Sequence, residues 1–323
     1  MRFLPGLVVV LEVGCGSVSS NQSDAQVDTS PGAGSDGPAM PEGMHRHYVV
    51  DHQFLAVTPA QVTMYALDLD GDGQPDNRLG MGGLAVSTFG IDRQGNTSAA
   101  VDRGDVLLLL DVQATDLMNA SNAGVNFYIG SNPSPAPCVS ASDSICRRHL
   151  AGNGSFMIAS GQPHVPAMLG AISNGEYITA SGGNLRIQIA PTGTAIELDL
   201  IGARAKITGI TENAVATGIL GGAVTKSDVE NKLSPAIVAA YNAIIKRDCT
   251  SPTPPGCGCA AGTNGAVLIA TFDGAQPSCR IELDEYTGNT DVQKAIAPDV
   301  MVDGQLAVSI GLGFTAVHGD FTP

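Results

Sequence analysis

The sequence predicts a mainly β fold, either an antiparallel β-sandwich or a partly closed barrel, with one or two flanking helices. Apolar and polar residues alternate through residues 185–189 and 196–200 and again through 203–207, which places one face of each strand in a core and the other in water. Short apolar runs elsewhere are separated by turn signals, among them Asn153-Gly154 and Asn174-Gly175. Asn-Gly is the strongest short-range hairpin signal, and closely spaced short strands are typical of sandwiches and barrels.

The remaining predicted elements fit this fold class. A weak, Gly-rich helix is predicted at 79–89, and a stronger one follows Thr225, with Ile237 and Tyr241 on its apolar face and Pro235 as a point of division. A shorter helix is predicted at 284–295. Further strands are predicted at 48–57, 106–112, 125–129, 156–159, 177–180 and 306–317.

The N-terminal 45 residues predict export and a tether. Residues 1–15 predict a signal peptide, because a positive Arg2 and a short apolar run precede Val13-Gly14-Cys15. These last residues resemble the cleavage site of a bacterial lipobox and predict lipidation of Cys15, although Glu12 departs from the usual residue. An ordinary cleaved signal or a misassigned start are the alternatives. Residues 16–45 are rich in Ser, Gly, Asp and Pro, which predicts a disordered tether to a β-rich globular domain at 46–323.

The charge balance excludes some partners. The net charge is −15 and the longest basic run is Arg147-Arg148, so nucleic acid is excluded as a partner. We expect association with a membrane through the lipid, with an envelope protein or glycan as a further possible partner. The expected location is the cell envelope, as an outer-membrane-anchored lipoprotein.

The cysteines predict disulfides, because an exported protein pairs its thiols. Setting Cys15 aside leaves an even number, and Cys138 and Cys146 close a small loop. For the other four, Cys249–Cys257 with Cys259–Cys279 is the preferred pairing and crossed pairing the main alternative. Zinc is disfavoured because Cys257-Gly258-Cys259 lacks the spacing of a zinc knuckle. The six paired residues are Cys138, Cys146, Cys249, Cys257, Cys259 and Cys279.

The sharpest motif is an Asp-rich loop at residues 68–76. Its carboxylates stand at relative positions 1, 3, 5 and 9, Gly73 permits a sharp turn, and the residue at position 7 offers its backbone carbonyl. This oxygen-rich set predicts a structural Ca²⁺ site, with a solvated acidic turn as the alternative. Asp299 and Asp303 retain fragments of another such loop, which looks degraded. The predicted ligands are Asp68, Asp70, Asp72, Gln74 and Asp76.

Four sequence blocks, the first of which contains the Asp loop, are spaced along the chain. They are residues 67–80, 218–225 (GILGGAVT), 297–300 (APDV) and 311–317 (GLGFTAV). Together and in this order they resemble an uncharacterised family of bacterial cell-envelope lipoproteins, from about residue 48 to the end of the chain. The resemblance implies export and a repeated set of Asp loops. It implies no particular activity.

No catalytic motif is recognisable in the sequence. His45, His47 and His52 could together supply imidazoles to zinc or copper, although exposed histidines are the favoured alternative. Asp111 is expected on the wet face of its strand. Three functions therefore compete: a non-catalytic binding module of the cell envelope, a hydrolase with a dispersed active site, and a structural envelope component.

Overall fold

The computed structural model describes residues 40–140, 143, 146–162, 166, 168–251, 253–254, 257–274 and 278–323. The predicted signal peptide, Cys15 and the tether up to residue 39 lie outside these residues. The part that is described belongs to one compact unit, and its first strand begins two residues before the predicted domain start at 46. Within that part, no helix combines the length and apolar character needed to cross a membrane.

Within the described part of the chain, eleven strands form one extensive sheet, so the predicted mainly β fold is confirmed. Most pairs are antiparallel, and several strands carry bulges where the register shifts. The strands are β1 (Met44–Phe54), β2 (Leu108–Ala114), β3 (Asn119–Ser134), β4 (Gly154–Ile158), β5 (Met168–Ser173), β6 (Glu176–Ser181), β7 (Gly183–Ile189), β8 (Ile196–Ile210), β9 (Ala214–Val224), β10 (Val300–Val302) and β11 (Gln305–Asp320).

Eight of these strands pair in a closed circuit. Following hydrogen bonds from β1 leads through β2, β3, β5, β6, β8, β9 and β11 and back to β1, always antiparallel. The circuit corresponds to the partly closed barrel among the two predicted arrangements. It is irregular, because β4, β7 and β10 pair with its members from outside the circuit.

Only one of the two Asn-Gly sequences forms the predicted hairpin turn. Asn174 and Gly175 have φ of 52° and 76° and join β5 to β6, with Ser173 facing Glu176, as a two-residue hairpin requires. Asn153-Gly154 forms no such turn. Gly154 instead starts β4, where an added Cβ would lie 2.3 Å from the His149 carbonyl oxygen.

Helices cover parts of the sheet. The predicted weak helix is α2, and the predicted helix after Thr225 is interrupted by a π-helical turn, Val229–Leu233, so that Pro235 lies at the start of α5 instead of dividing it. The predicted helix at 284–295 is two helices. The helices are α1 (Pro59–Met64), α2 (Arg78–Thr88), α3 (Arg93–Arg103), α4 (Lys226–Asp228), α5 (Ser234–Asp248), α6 (Asn264–Phe272), α7 (Leu283–Gly288) and α8 (Thr290–Ala295).

Both faces of the first strands are buried. Tyr48 belongs to the main hydrophobic cluster, with Phe127 and Phe314 from other strands of the circuit. Its neighbour Val49 points the other way, into a second cluster with Tyr128. Because successive side chains alternate across a sheet, the continuous apolar run in β2 likewise supplies residues to both clusters.

The described residues contain three disulfides, and both bonds of the preferred pairing among the last four cysteines are wrong. Cys138 pairs with Cys146 as predicted, but the other bonds are Cys249–Cys259 and Cys257–Cys279, the crossed alternative. The cause is a turn that sets residues 249 and 259 directly opposite each other, with Cα atoms 3.8 Å apart. Cys257 lies within that turn, has a φ of 51° and is fully buried, which directs its sulfur to Cys279.

Candidate functional site

The Asp-rich loop is a closed turn between α1 and α2. Its ends are joined where the Asp76 amide donates to the Leu67 carbonyl at 2.9 Å. Gly71 and Gly73 have φ of 84° and 85°, a conformation that disfavours residues with a Cβ. Leu69 is buried in a small cluster with Val300 and Val302 of β10, so the base of the loop is anchored while its tip faces solvent.

Three carboxylates converge in this loop. Asp68, Asp70 and Asp76 each place one oxygen within 4.8 Å of the others. Backbone amides hold them there: Gly71 and Gly73 donate to the two oxygens of Asp68 at 2.7 and 3.0 Å. Oxygens at such separations can share one Ca²⁺, whose ligands lie about 2.3–2.6 Å from the ion.

The other two predicted ligands hold the turn. Asp72 accepts a hydrogen bond from the Gln74 amide at 2.7 Å, and its carboxylate is not one of the converging three. Gln74 is exposed at the tip of the loop. Of the predicted ligand set, the structure therefore brings together the carboxylates of positions 1, 3 and 9.

The loop concentrates negative charge. Burial raises the pKa of Asp76, and repulsion from Asp70 and Asp299 raises it further, against the lowering effect of the hydrogen bond from the Leu69 amide. Asp299 thus acts on the loop electrostatically, although its own carboxylate accepts hydrogen bonds from the Ser309 amide and hydroxyl. A bound cation would relieve this repulsion, because opposite charge favours the ionised form of a carboxylate.

A second cluster joins β1 and β2. His47 lies opposite Asp111 in the register, and His45 lies two pairs away, on the same face. His45 Nδ1 is 2.9 Å from Asp111 Oδ2, and His47 Nε2 is 3.7 Å from Asp111 Oδ1. All three ligand atoms lie within 4.8 Å of one another, whereas ligand atoms of a tetrahedral zinc site with bonds of about 2.0–2.2 Å are separated by about 3.3–3.6 Å.

Burial controls the charges in this cluster. Asp111 is only 3% exposed, so the expectation that it faces water is wrong. Burial raises the pKa of Asp111 and lowers that of His47. His47 Nε2 is buried without a hydrogen-bond partner in the described part of the chain. A neutral imidazole nitrogen without a partner is the form that binds a metal.

His52 does not join its two neighbours in sequence. It interacts instead with Asp51 and with Arg147, whose Nη2 is 3.2 Å from His52 Nε2. Asp111, the residue that does join His45 and His47, was missed because an acidic residue ending an apolar run suggests a strand edge in water. The continuous run Val106–Leu110 was the available signal, since it implies burial of both faces and therefore of Asp111.

A small cavity lies beside α2. Leu79 and Val86 of α2, Ile237 of α5 and Ile310 of β11 give it an apolar lining, and its volume is about 80 Å³. Among the described residues that line it, the polar side chains belong to Arg93, Thr192 and Tyr286, and none carries a carboxylate or an imidazole. This composition suits the binding of a small molecule better than acid–base chemistry.

Comparison with protein-family models, with curated proteins and with solved structures finds no match to this chain.

Proposed function

We propose that this chain is an exported, calcium-stabilised β-domain that serves as a non-catalytic binding module of the cell envelope, held to the membrane by a lipid on Cys15. The convergence of Asp68, Asp70 and Asp76 carries the calcium part of the proposal. The three disulfides support an oxidising, exported location. The apolar cavity, which has no acid or imidazole among its described lining residues, supports binding over catalysis.

The calcium proposal is tested by thermal unfolding of the folded domain in chelator, in calcium and in magnesium. A cation that binds only the folded state stabilises it by about 2.7 kcal/mol at a hundredfold excess over Kd. Calcium should therefore raise Tm by about 5–10 °C in a domain of this size. Magnesium should do so poorly, because it demands tighter octahedral geometry. Equal melting in chelator and in calcium would reduce the loop to an acidic turn.

The anchor is tested separately. Metabolic labelling with a fatty-acid analogue should mark the wild-type chain and leave Cys15→Ser unmarked. Equal labelling of the two chains, or of neither, would refute lipidation at Cys15 while leaving the calcium result untouched.

The cluster of His45, His47 and Asp111 favours a second candidate, a metal-dependent hydrolase. Three protein ligands that leave a fourth position open are typical of catalytic zinc sites, where the bound water becomes the nucleophile. The binding module remains the first proposal, because the hydrogen bond between His45 and Asp111 already satisfies the buried carboxylate without a metal.

Cobalt binding distinguishes the two candidates. If the cluster is a metal centre, Co²⁺ should bind wild type in equimolar amount with the visible absorption of tetrahedral cobalt. That absorption should disappear in His45→Ala and persist in His52→Ala, the matched control on the same strand. Wild-type protein without this absorption would leave the cluster as a hydrogen-bonded pair and exclude the metal-dependent hydrolase.

A further inference from the structure

Arg93 is a buried cation at the wall of the apolar cavity. It begins α3, is 6% exposed, and lines the cavity together with residues of α2. Its Nη2 donates to the Ala56 carbonyl at 3.1 Å. Gly83 of α2 makes room for the guanidinium, because a Cβ at that position would lie 1.8 Å from Arg93 Nη1.

Among the described residues, this guanidinium has no counter-charge. Its Nη1 is buried without a hydrogen-bond partner, and no carboxylate in the described part of the chain forms an ion pair with it. Burial lowers the pKa of Arg93 to about 10, so the group is still charged at neutral pH. An unpaired buried charge is strongly unfavourable, and a neutral water could satisfy the N–H groups without offsetting the charge.

The cavity limits what could provide the missing charge. The volume of about 80 Å³ admits only a small ligand, since an engineered cavity of about 150 Å³ binds benzene. The lining around Arg93 is apolar, with Leu55, Val86 and Ile296 among its members. A ligand that fits would therefore combine an anionic group, which pairs with the guanidinium, and a short apolar chain, which fills the remaining space.

We propose that the cavity beside α2 binds a short-chain carboxylate, whose carboxylate pairs with the guanidinium of Arg93 and whose hydrocarbon chain packs against the apolar lining. A planar guanidinium suits a carboxylate because its N–H groups form a fork that matches the two oxygens. The inference rests on the proposed binding role of the domain and names the ligand class that this role would involve.

Calorimetric titration with sodium hexanoate tests the proposal, because hexanoate combines a carboxylate with a short hydrocarbon chain. 1-Hexanol, of nearly equal size and without charge, is the ligand control. Arg93→Met removes the charge but keeps an unbranched apolar side chain. Arg103→Met is the matched protein control, since Arg103 is an exposed arginine of the same helix that pairs with Asp105.

Wild type should bind hexanoate at millimolar concentration or better and bind hexanol at least tenfold more weakly. Arg93→Met should weaken hexanoate binding by about tenfold to a hundredfold, the usual effect of losing a charged hydrogen bond, and leave hexanol binding unchanged. Arg103→Met should match wild type. Without ligand, Arg93→Met should melt no lower than wild type, because the unpaired charge is gone.

Three results would overturn the proposal: no hexanoate binding to wild type, equal binding of hexanoate and hexanol, or unchanged hexanoate binding by Arg93→Met. Loss of stability in Arg93→Met with unchanged hexanoate binding would assign the residue a purely structural role through Ala56. The calcium shift in Tm, measured on the same samples, reports on the Asp loop independently. Failure at the cavity is therefore distinguishable from failure of the calcium-stabilised module.

Discussion

Asn77 and Gly311 are joined by two reciprocal hydrogen bonds: the Gly311 amide donates to Asn77 Oδ1 at 2.9 Å, and Asn77 Nδ2 donates to the Gly311 carbonyl at 3.3 Å. The same Oδ1 accepts from the Gly80 amide at 3.0 Å and so caps α2. Asn77 directly follows the last converging carboxylate, Asp76. One buried side chain therefore connects the Asp loop, the helix beside the cavity and strand β11.

Replacing Asn77 by alanine should lower the free energy of unfolding by about 3 kcal/mol, because a helix cap is lost and buried groups of Gly311 are left unpaired. Chemical denaturation measures this. Asn289→Ala is the matched control: it also removes an asparagine cap, that of α8, but one without such long-range bonds, and should cost only about 1 kcal/mol. Equal losses would show that the bonds to β11 contribute little.

Two substitutions in the Asp loop test which of its carboxylates bind calcium. Asp70→Asn should remove most of the calcium-induced rise in Tm, because it deletes one of the three converging charges. Asp72→Asn should keep most of that rise, because an asparagine oxygen can still accept the hydrogen bond from the Gln74 amide. Calcium titration followed by differential scanning calorimetry makes the comparison. Equal losses in both variants would restore Asp72 to the ligand set, as the sequence motif predicts.

The alternation in residues 185–189 and 196–200 was sufficient to predict two strands, because burial of one face makes every second residue apolar. Periodicity could not reveal α3, which has a polar sequence, or α6, which is apolar on nearly all sides. Helices of these kinds form through tertiary packing and caps, such as Asp92 before α3. Those packing contacts cannot be inferred from the sequence of the helix itself.

Whether the residues of the candidate site could be predicted likewise depended on how close together they lie in sequence. The convergence of carboxylates in the Asp loop was predictable because they lie within nine consecutive residues and the glycines mark the turn. Asp111 and the two histidines are 64 or more residues apart and meet only through the register of β1 and β2. Arg93 was missed because nothing adjacent to it in sequence distinguishes a buried arginine from an exposed one.

Peptide mapping without reduction should recover Cys249 linked to Cys259 and Cys257 linked to Cys279. Loop-closure entropy then predicts the cost of opening two of the bonds. It is about 3.4 kcal/mol for the separation of 22 residues closed by Cys257–Cys279 and about 2.5 kcal/mol for the separation of 8 closed by Cys138–Cys146. Paired serine variants compared in urea check this order. Recovery of a Cys249–Cys257 peptide would contradict the pairing.

His149 should make stability depend on pH in the acid range. It is fully buried, and burial, with a smaller contribution from Arg147, lowers its pKa from 6.5 to about 4. Between these values the unfolded chain binds a proton that the folded chain does not, so its contribution is complete above pH 6.5 and falls as the pH drops toward 4. The loss is about 3 kcal/mol.

The pH effect is measured as the difference between wild type and His149→Leu in denaturant at several pH values. The variant should lose less stability than wild type between pH 6.5 and 4, even if it is less stable throughout that range. Parallel pH profiles would mean that His149 keeps an ordinary pKa in the folded protein.

Calcium and the carboxylate should bind cooperatively. The Asp loop ends at Asn77, which caps α2, and α2 lines the cavity with Leu79, Gly83 and Val86. A cation that orders the loop therefore fixes the helix that forms one wall of the cavity, and ordering achieved by one ligand need not be repeated by the other. Thermodynamic linkage requires that each ligand raise the affinity of the protein for the other ligand by the same factor.

We expect calcium to tighten hexanoate binding by about fivefold or more, the lower end of typical coupling between sites. Hexanoate should strengthen calcium binding by an equal factor, as measured by titrating each ligand in the presence and absence of the other. Asn77→Ala should reduce this factor toward one while both sites keep their own ligand groups. Full coupling in Asn77→Ala would show that the connection does not pass through the cap of α2, and unequal factors would show that one of the titrations does not report binding at its site.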